Sequence, residues 1–127
     1  MNLSHLLQER ASQDRPLRVG VIGAGKFGTM FLSQVRRTQG MHLLAVADLD
    51  VKRARASLVE TGWTDEQIGA TSAAKALAQG STWVTDDSDA LINAGGLDVV
   101  VEATGDPDAG IRHALAAIER GRHLVMV

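Results

Sequence analysis

The chain has 127 residues, with 13 Lys or Arg against 15 Asp or Glu, so its formal charge is −2. This length suits one domain with a real core, and 45% hydrophobic residues argue against disorder. The balanced charge argues against nucleic-acid binding, and the absence of cysteine excludes disulfides and thiolate metal sites. With no apolar run of roughly 20 residues and no recognisable signal peptide, we expect a cytoplasmic protein without membrane contact.

Residues 1–16 predict a short amphipathic helix. Four small or apolar residues have helical spacing in this segment: Leu3, Leu6, Leu7 and Ala11. Pro16 ends the pattern, because proline cannot continue a helix without losing a backbone hydrogen bond. We therefore expect an N-terminal helical extension, with the main domain formed by residues 17–127.

The main domain alternates between two kinds of pattern. Five apolar, β-rich runs predict strands: 17–22, 42–47, 82–85, 97–102 and 123–127. Helical spacing predicts helices between them, the first with an apolar face of Phe27, Met30, Phe31 and Val35, and the others after Asp50, around 73–78, near 88–93 and from Pro107. Such alternation predicts a doubly wound α/β domain, a Rossmann-type parallel sheet with helices on both faces.

The last predicted helix carries large apolar residues at helical spacing. They are Ile111, Ala114, Leu115 and Ile118, preceded by a predicted cap at Asp106 and followed by Gly121. If this stripe faces the sheet, His113 lies on the helix surface. His5, His42, His113 and His123 lack metal-ligand spacing, and no G-x-S-x-G elbow is present, so neither a metal site nor hydrolysis is predicted.

The glycines between the first strand and the first following helix form the most informative motif. Gly23, Gly25 and Gly28 make a G-x-G-x-x-G, in which the first allows a sharp turn, the second a close approach to pyrophosphate and the third close helix packing. The helix N-terminus would add free N–H groups for the phosphates. A nucleoside-triphosphate loop starting at Gly20 has the competing spacing, but Phe27 replaces the magnesium-binding hydroxyl.

Asp48 ends the second predicted strand, about 20 residues after the glycines, where an acid accepts hydrogen bonds from the adenosine ribose. A carboxylate there favours NAD over NADP, and Asp50 adds to the repulsion of a 2′-phosphate. Three basic residues could partly offset that repulsion: Lys52, Arg53 and Arg55. The alternative is that Asp48 only caps a helix or orders a loop. Lys26 has two open interpretations, a phosphate contact or a solvated side chain.

A second group of small and polar residues follows the fourth predicted strand, in the turn Glu102-Ala103-Thr104-Gly105. Ligands of open α/β sheets bind outside the carboxyl ends of the strands, so this turn would face the nicotinamide half of a dinucleotide. The turn also suits a simple helix entry, with Asp106 as cap. We expect Glu102 to be a strand-end acid without a catalytic role.

The sequence resembles the nucleotide-binding half of homoserine dehydrogenase-like oxidoreductases, in particular those with an SAF domain. Four segments carry this resemblance: Val19–Gly28, Ala47–Asp50, Asp98–Gly105 and Gly121–His123. The broader glucose–fructose oxidoreductase and inositol dehydrogenase family is also similar. The resemblance implies that residues of the glycine loop hold the pyrophosphate: Gly23, Ala24, Gly25, Lys26, Phe27 and Gly28. It implies that Asp48 binds the ribose, and that Ala103, Thr104 and Gly105 line the nicotinamide side.

These observations predict an NAD-binding (or NADP-binding) domain of an oxidoreductase, truncated before a catalytic domain that would bind a small-molecule substrate. No catalytic residue is predicted within the chain, which alone should bind NAD(H) without turnover. An exposed end strand would favour self-association into a homo-oligomer. The alternative function is a stand-alone regulatory module that senses NAD(H).

Overall fold

The computed structural model describes residues 3–13 and 15–127, except for the side chains of Ala11, Lys26 and Phe27. The strands in this part of the chain are β1 (Leu17–Ile22), β2 (Met41–Ala47), β3 (Trp83–Thr85), β4 (Val99–Glu102) and β5 (His123–Met126). The helices are α1 (Leu3–Ser12), α2 (Lys26–Arg36), α3 (Val51–Glu60), α4 (Ala73–Gln79), α5 (Ser88–Ile92) and α6 (Pro107–Glu119). Over the described ranges, no helix is long and apolar enough to cross a membrane.

The five strands form one parallel sheet in the order β3-β2-β1-β4-β5. The chain runs outward from β1 to β3 on one side, then returns to the centre and runs outward through β4 and β5. The order therefore reverses between β1 and β4, and the loops that follow these two strands diverge there. The predicted doubly wound Rossmann-type sheet is confirmed.

Apolar residues fill both faces of the sheet. On one face, α2 and α3 bury Leu32, Val35 and Leu58 against β1 and β2. On the other face, α4, α5 and α6 cover the alternate residues of the same strands, with Leu91 and Ile92 fully buried. This burial on both faces explains why the strand sequences are almost continuously apolar.

The prediction that the large apolar residues of α6 face the sheet is wrong. Ile111, Leu115 and Ile118 are about 60% exposed, and the helix instead turns Ala109, Gly110, His113 and Ala117 toward the sheet. The residues on this face are small, and a Cβ on Gly110 would already be in van der Waals contact with Cε of Met126, at 3.4 Å. Large side chains would hold the helix away from the sheet. His113, predicted to be on the surface, is consequently buried. Met30 of the predicted α2 face is also exposed.

The amino-terminal edge of the sheet is covered by α1. Leu7 is buried there, and the chain passes so close that a Cβ on Gly40 would lie 2.2 Å from the carbonyl oxygen of Leu7. Arg10 forms an ion pair of 3.5 Å with Asp98, whose carboxylate also accepts the N–H of Arg18 at 2.9 Å. The predicted helix thus has a partner surface that its sequence did not reveal, and its status as a separate extension stays a prediction.

A second arginine strengthens the same edge. The guanidinium of Arg122, just before β5, donates to the carbonyl oxygens of Ile92 at 3.0 Å, Leu97 at 2.9 Å and Ala94 at 2.7 Å. The first of these carbonyls belongs to the last residue of α5, and the other two belong to the segment that joins α5 to β4. One planar side chain therefore holds together the entries to two neighbouring strands.

His42, near the start of β2, is partly buried and hydrogen-bonded to the segment before β3. Its Nε2 lies 2.6 Å from the carbonyl oxygen of Ser81. Burial lowers the pKa of His42 below its usual 6.5; the hydrogen bond to Ser81 opposes this effect, and the charge of Arg18 adds to it. The folded chain therefore favours the neutral ring.

We expect the free energy of unfolding to decrease as the pH falls below about 6.5, because the unfolded chain binds a proton that folded His42 resists. Above that pH the contribution is complete, and it is lost as the pH falls through the lowered pKa. Denaturant titrations between pH 7.5 and 5 should show a smaller decrease for His42→Gln than for the natural chain. Parallel curves for the two proteins would contradict this assignment.

Candidate functional site

A cleft of about 530 Å³ opens at the carboxyl edge of the sheet. We call it the crevice. It is lined by residues that follow four of the strands, including Gly25 after β1, Asp48 after β2, Asp86 after β3 and Thr104 after β4, together with His113 of α6. Its volume and its position over the point where strand order reverses are typical of ligand sites in open α/β sheets.

The three motif glycines have different roles in the loop between β1 and α2. Gly23 has a φ of +100°, and a Cβ there would lie 2.7 Å from the carbonyl oxygen of Ala103. A Cβ on Gly28 would lie 2.3 Å from the carbonyl oxygen of Gly23. Gly25 differs, because a Cβ there would meet no atom within 4 Å. Gly23 and Gly28 therefore allow close packing, and Gly25 leaves open space beside the crevice.

The N-terminus of α2 has no side-chain cap among the described residues. Side chains cap the four helices that follow it, namely Asp50 for α3, Ser72 for α4, Asp87 for α5 and Asp106 for α6. By contrast, the cap of α2 is Gly25, which provides no side chain, and its first turn contains no acidic residue. The first N–H groups of α2 and the positive end of its dipole are thus available to an anion.

The alternative phosphate loop that starts at Gly20 is incompatible with the structure. Gly20 lies inside β1, in register with Ala45 of β2 and Val100 of β4, so it belongs to the sheet. The backbone of Lys26 and Phe27 begins α2, but their side chains lie outside the described part of the chain. Whether Lys26 contacts phosphate stays a prediction.

The carboxylate of Asp48 fixes the glycine loop. Its Oδ2 accepts the N–H of Ala24 at 2.8 Å, and its Oδ1 accepts the N–H of Asp50 at 2.9 Å. Nη2 of Arg53 lies 2.9 and 3.0 Å from the two oxygens. Burial raises the pKa of Asp48, but the hydrogen bonds from Asp50, Ala24 and Arg53 outweigh it and hold that pKa below its usual 3.8. Asp48 is therefore an ionised acceptor at the edge of the crevice.

These contacts distinguish two roles that the sequence left open for this acid. The cap of α3 is Asp50, whose Oδ1 accepts the N–H of Arg53 at 3.1 Å, as the sequence predicted. Asp48 instead orders the loop across 24 residues of sequence. The exposed guanidinium of Arg53 lies over its carboxylate, with 59% of the arginine side chain exposed. A ribose that reached Asp48 would meet Arg53 as well.

The turn after β4 is organised by Glu102, which is buried. Its Oε1 accepts the N–H of Thr104 at 2.8 Å and also contacts the Thr104 hydroxyl. That hydroxyl accepts the N–H of Asp106 at 3.2 Å. The predicted site residues Ala103, Thr104 and Gly105 thus form a turn beside the glycine loop, but the hydroxyl proton of Thr104 is directed to Glu102 rather than to the crevice.

His113 is a buried site residue that the sequence interpretation missed, and Asp86, Ser88 and Arg112 also line the crevice without having been predicted. Only 8% of the His113 side chain is exposed, and its Nδ1 contacts Oε2 of Glu102. It also lines the crevice. A signal was present: Ala109, Gly110, His113 and Ala117 share one helix face, and an acid at the end of an apolar strand needs a partner when it is buried.

Comparison with solved structures supports the fold. Myo-inositol dehydrogenase from Lactobacillus casei superposes with a TM-score of 0.64 at 20% identity, over 87% of this chain and 28% of that one. UDP-N-acetylglucosamine 3-dehydrogenase GnnA from Acidithiobacillus ferrooxidans superposes with a TM-score of 0.58 at 22% identity, over 87% of this chain and 29% of that one. An NAD binding oxidoreductase from Klebsiella pneumoniae superposes with a TM-score of 0.60 at 24% identity, over 87% of this chain and 27% of that one. The chain spans less than a third of each of these proteins.

The sequence comparison is more specific. No curated protein is similar enough to count as a match, but residues 17–126 match the oxidoreductase family with an NAD-binding Rossmann fold, the family of glucose–fructose oxidoreductase and inositol dehydrogenase. This confirms the broader of the two resemblances and the expectation of NAD as cofactor, whereas no match supports the homoserine dehydrogenase-like type. The open space at Gly25 and the uncapped start of α2 fit such a cofactor. The chain therefore belongs to this oxidoreductase family, of which it contains the NAD-binding domain.

Proposed function

We propose that the crevice binds NAD(H) across the switch between β1 and β4, and that the whole protein transfers a hydride between this cofactor and a small molecule bearing a hydroxyl or carbonyl group. The observation that carries the proposal is the open space at Gly25, beside helix N–H groups that no described side chain caps. A pyrophosphate would fill that space and accept those N–H groups.

In this proposal, each strand end has one task. The N–H groups at the start of α2 bind the pyrophosphate, and Asp48 accepts hydrogen bonds from the adenosine ribose. The turn formed by Ala103, Thr104 and Gly105 lies against the nicotinamide half. Once bound, NAD supplies the ring carbon that accepts or returns a hydride. The residues of this chain bind and orient the cofactor, and a further surface would bring the substrate to it.

The charges near Asp48 favour NAD over NADP. Its buried carboxylate and the nearby carboxylate of Asp50 would repel a 2′-phosphate, whereas Arg53 would attract one. Since the positive charge of Arg53 is already balanced by the carboxylate of Asp48, its attraction for a 2′-phosphate is reduced. We therefore propose NAD as the preferred cofactor and NADP as the weaker ligand.

The substrate class is a separate hypothesis. The homoserine dehydrogenase-like type stays a prediction. It rests on the resemblance of four segments, Val19–Gly28, Ala47–Asp50, Asp98–Gly105 and Gly121–His123, of which the turn from Glu102 to Gly105 is the more specific part. Inositol is named as the ligand of one structural neighbour, the myo-inositol dehydrogenase, which is similar in fold alone. Assaying the whole protein with polyols, sugars and hydroxy-amino acids would separate these classes. A protein that binds NAD(H) but oxidises none of these substrates would favour the alternative, an NAD(H)-sensing module.

Replacing Gly25 with Val should abolish NAD⁺ binding and leave the fold intact. The new side chain would have room in the free protein, but it would occupy the space proposed for pyrophosphate. Gly95→Val is a matched control, since a Cβ on Gly95 also meets no atom within 4 Å and Gly95 lies outside the crevice. Calorimetry with NAD⁺ should distinguish the two variants, and equal affinities would contradict the proposed pyrophosphate position.

Replacing Asp48 with Ala should weaken NAD⁺ binding roughly ten- to a hundredfold, the loss expected for hydrogen bonds to a charged acceptor. It should also reduce the preference for NAD⁺ over NADP⁺, because Arg53 is released from its partner. Asp98→Ala is the control, since that carboxylate also accepts a backbone N–H but lies at the opposite edge of the sheet. If calorimetry gives the variant and the natural chain the same ratio of NAD⁺ to NADP⁺ affinity, Asp48 only orders the loop.

The 127-residue chain should bind NAD(H) without dehydrogenase turnover. Thr104 and Gly105 are exposed, so the nicotinamide side of the crevice is open to water, whereas hydride transfer needs an enclosed and oriented pair of reactants. Absorbance at the NADH band, followed with hydroxy-acid, aldehyde and sugar substrates, tests this expectation. Steady NADH formation would show that a residue near Thr104 is catalytic.

A further inference from the structure

The polar groups around the crevice differ in how fully they are used by the protein itself. The Asp48 carboxylate accepts two backbone N–H groups and pairs with Arg53, and the Thr104 hydroxyl contacts Glu102 and Asp106. His113 is different. Its Nδ1 contacts Glu102, whereas its other ring nitrogen, Nε2, has no hydrogen-bond partner among the described residues, although the side chain is 92% buried and lines the crevice.

Glu102 determines which atom of the ring is available. Its carboxylate receives the N–H of Thr104 and contacts both the Thr104 hydroxyl and the imidazole, so it acts as an acceptor and Nδ1 of His113 acts as a donor. In the neutral ring Nε2 is then an acceptor, and in the protonated ring it is a donor. The ring is also enclosed, because His113 lies on the face of α6 that turns toward the sheet and only 8% of its side chain is exposed.

We propose that Nε2 of His113 hydrogen-bonds the carboxamide of the nicotinamide ring, and that Glu102 positions His113 for this contact. This inference rests on the proposed function, in which the adenosine half lies at Asp48 and the nicotinamide half at the β4 turn. The carboxamide is the polar substituent of that ring, and it has both an acceptor oxygen and donor N–H groups. It can therefore pair with Nε2 in either protonation state of the imidazole.

Two substitutions of His113 separate the proposed contact of Nε2 with the nicotinamide ring from the contact of Nδ1 with Glu102. Asparagine at position 113 retains an amide near the place of Nδ1, where it can still donate to Glu102, but it has no atom at the place of Nε2. Glutamine reaches the place of Nε2 instead. His123→Asn is the matched control, because His123 is an exposed histidine on β5 that does not line the crevice.

The experiment is calorimetry of the 127-residue chain with two probes, NAD⁺ and ADP-ribose, which lacks the nicotinamide ring. His113→Asn should weaken NAD⁺ binding about three- to tenfold, as expected for the loss of one hydrogen bond, and leave ADP-ribose binding unchanged. His113→Gln should recover part of the NAD⁺ affinity, and His123→Asn should change neither. Equal losses for both probes, or no loss for either, would overturn the proposal.

A second measurement needs no substitution and remains decisive if the variants do not fold. In ¹⁵N spectra of the natural chain, the Nε2 resonance of His113 should shift on addition of NAD⁺ and stay in place on addition of ADP-ribose. The same shift with both probes, or with neither, would contradict a carboxamide contact. Failure of the proposed function looks different, because then the natural chain would bind neither probe.

Discussion

The hydrogen bond from the N–H of Ala24 to the carboxylate of Asp48 determines the geometry of the crevice. It joins the loop after β1 to the end of β2, and it places the glycine loop before any ligand arrives. Gly23 brings the same loop against the backbone of Ala103, so the ends of three adjacent strands are held together. Because an ionised acceptor makes a stronger hydrogen bond than a neutral one, a single carboxylate can hold this arrangement.

The two strands that flank β1 end in the same way. Asp48 and Glu102 are both buried acids, and each accepts the N–H of the residue two positions later in the chain. Each also pairs with a basic side chain on the helix that follows, Arg53 on α3 and His113 on α6. The pairs differ in exposure, since Arg53 is largely in solvent and His113 is enclosed. The two halves of the crevice therefore share the same local arrangement of a buried acid and a basic partner, but the partner is exposed in one half and buried in the other.

Periodicity and glycine spacing were sufficient to predict the architecture. The strands of this domain are almost continuously apolar, and helix signals such as Asp106 with Pro107 depend only on neighbouring residues. The role of Asp48 in ordering the loop could not be predicted in this way, because its partner Ala24 is 24 residues distant and contributes a backbone atom.

The prediction of which face of α6 packs on the sheet was wrong for a related reason. A large apolar stripe is the stronger signal in a sequence, but a helix that must pack closely on a sheet uses small residues instead. Here the small face also contains a histidine, whose burial is understandable only once Glu102 is seen beside it. Sequence patterns of single elements do not contain such pairings between elements.

The contacts of Arg122 and Asp98 have a consequence for how this domain can change. They fasten the chain at the edge where strands begin, far from the edge where the crevice opens. The residues that make these contacts do not line the crevice, so the two edges of the sheet are held by separate sets of interactions. Exposed positions of the recognition loops can therefore change without disturbing the contacts of Arg122 and Asp98, so the same framework can acquire new specificities.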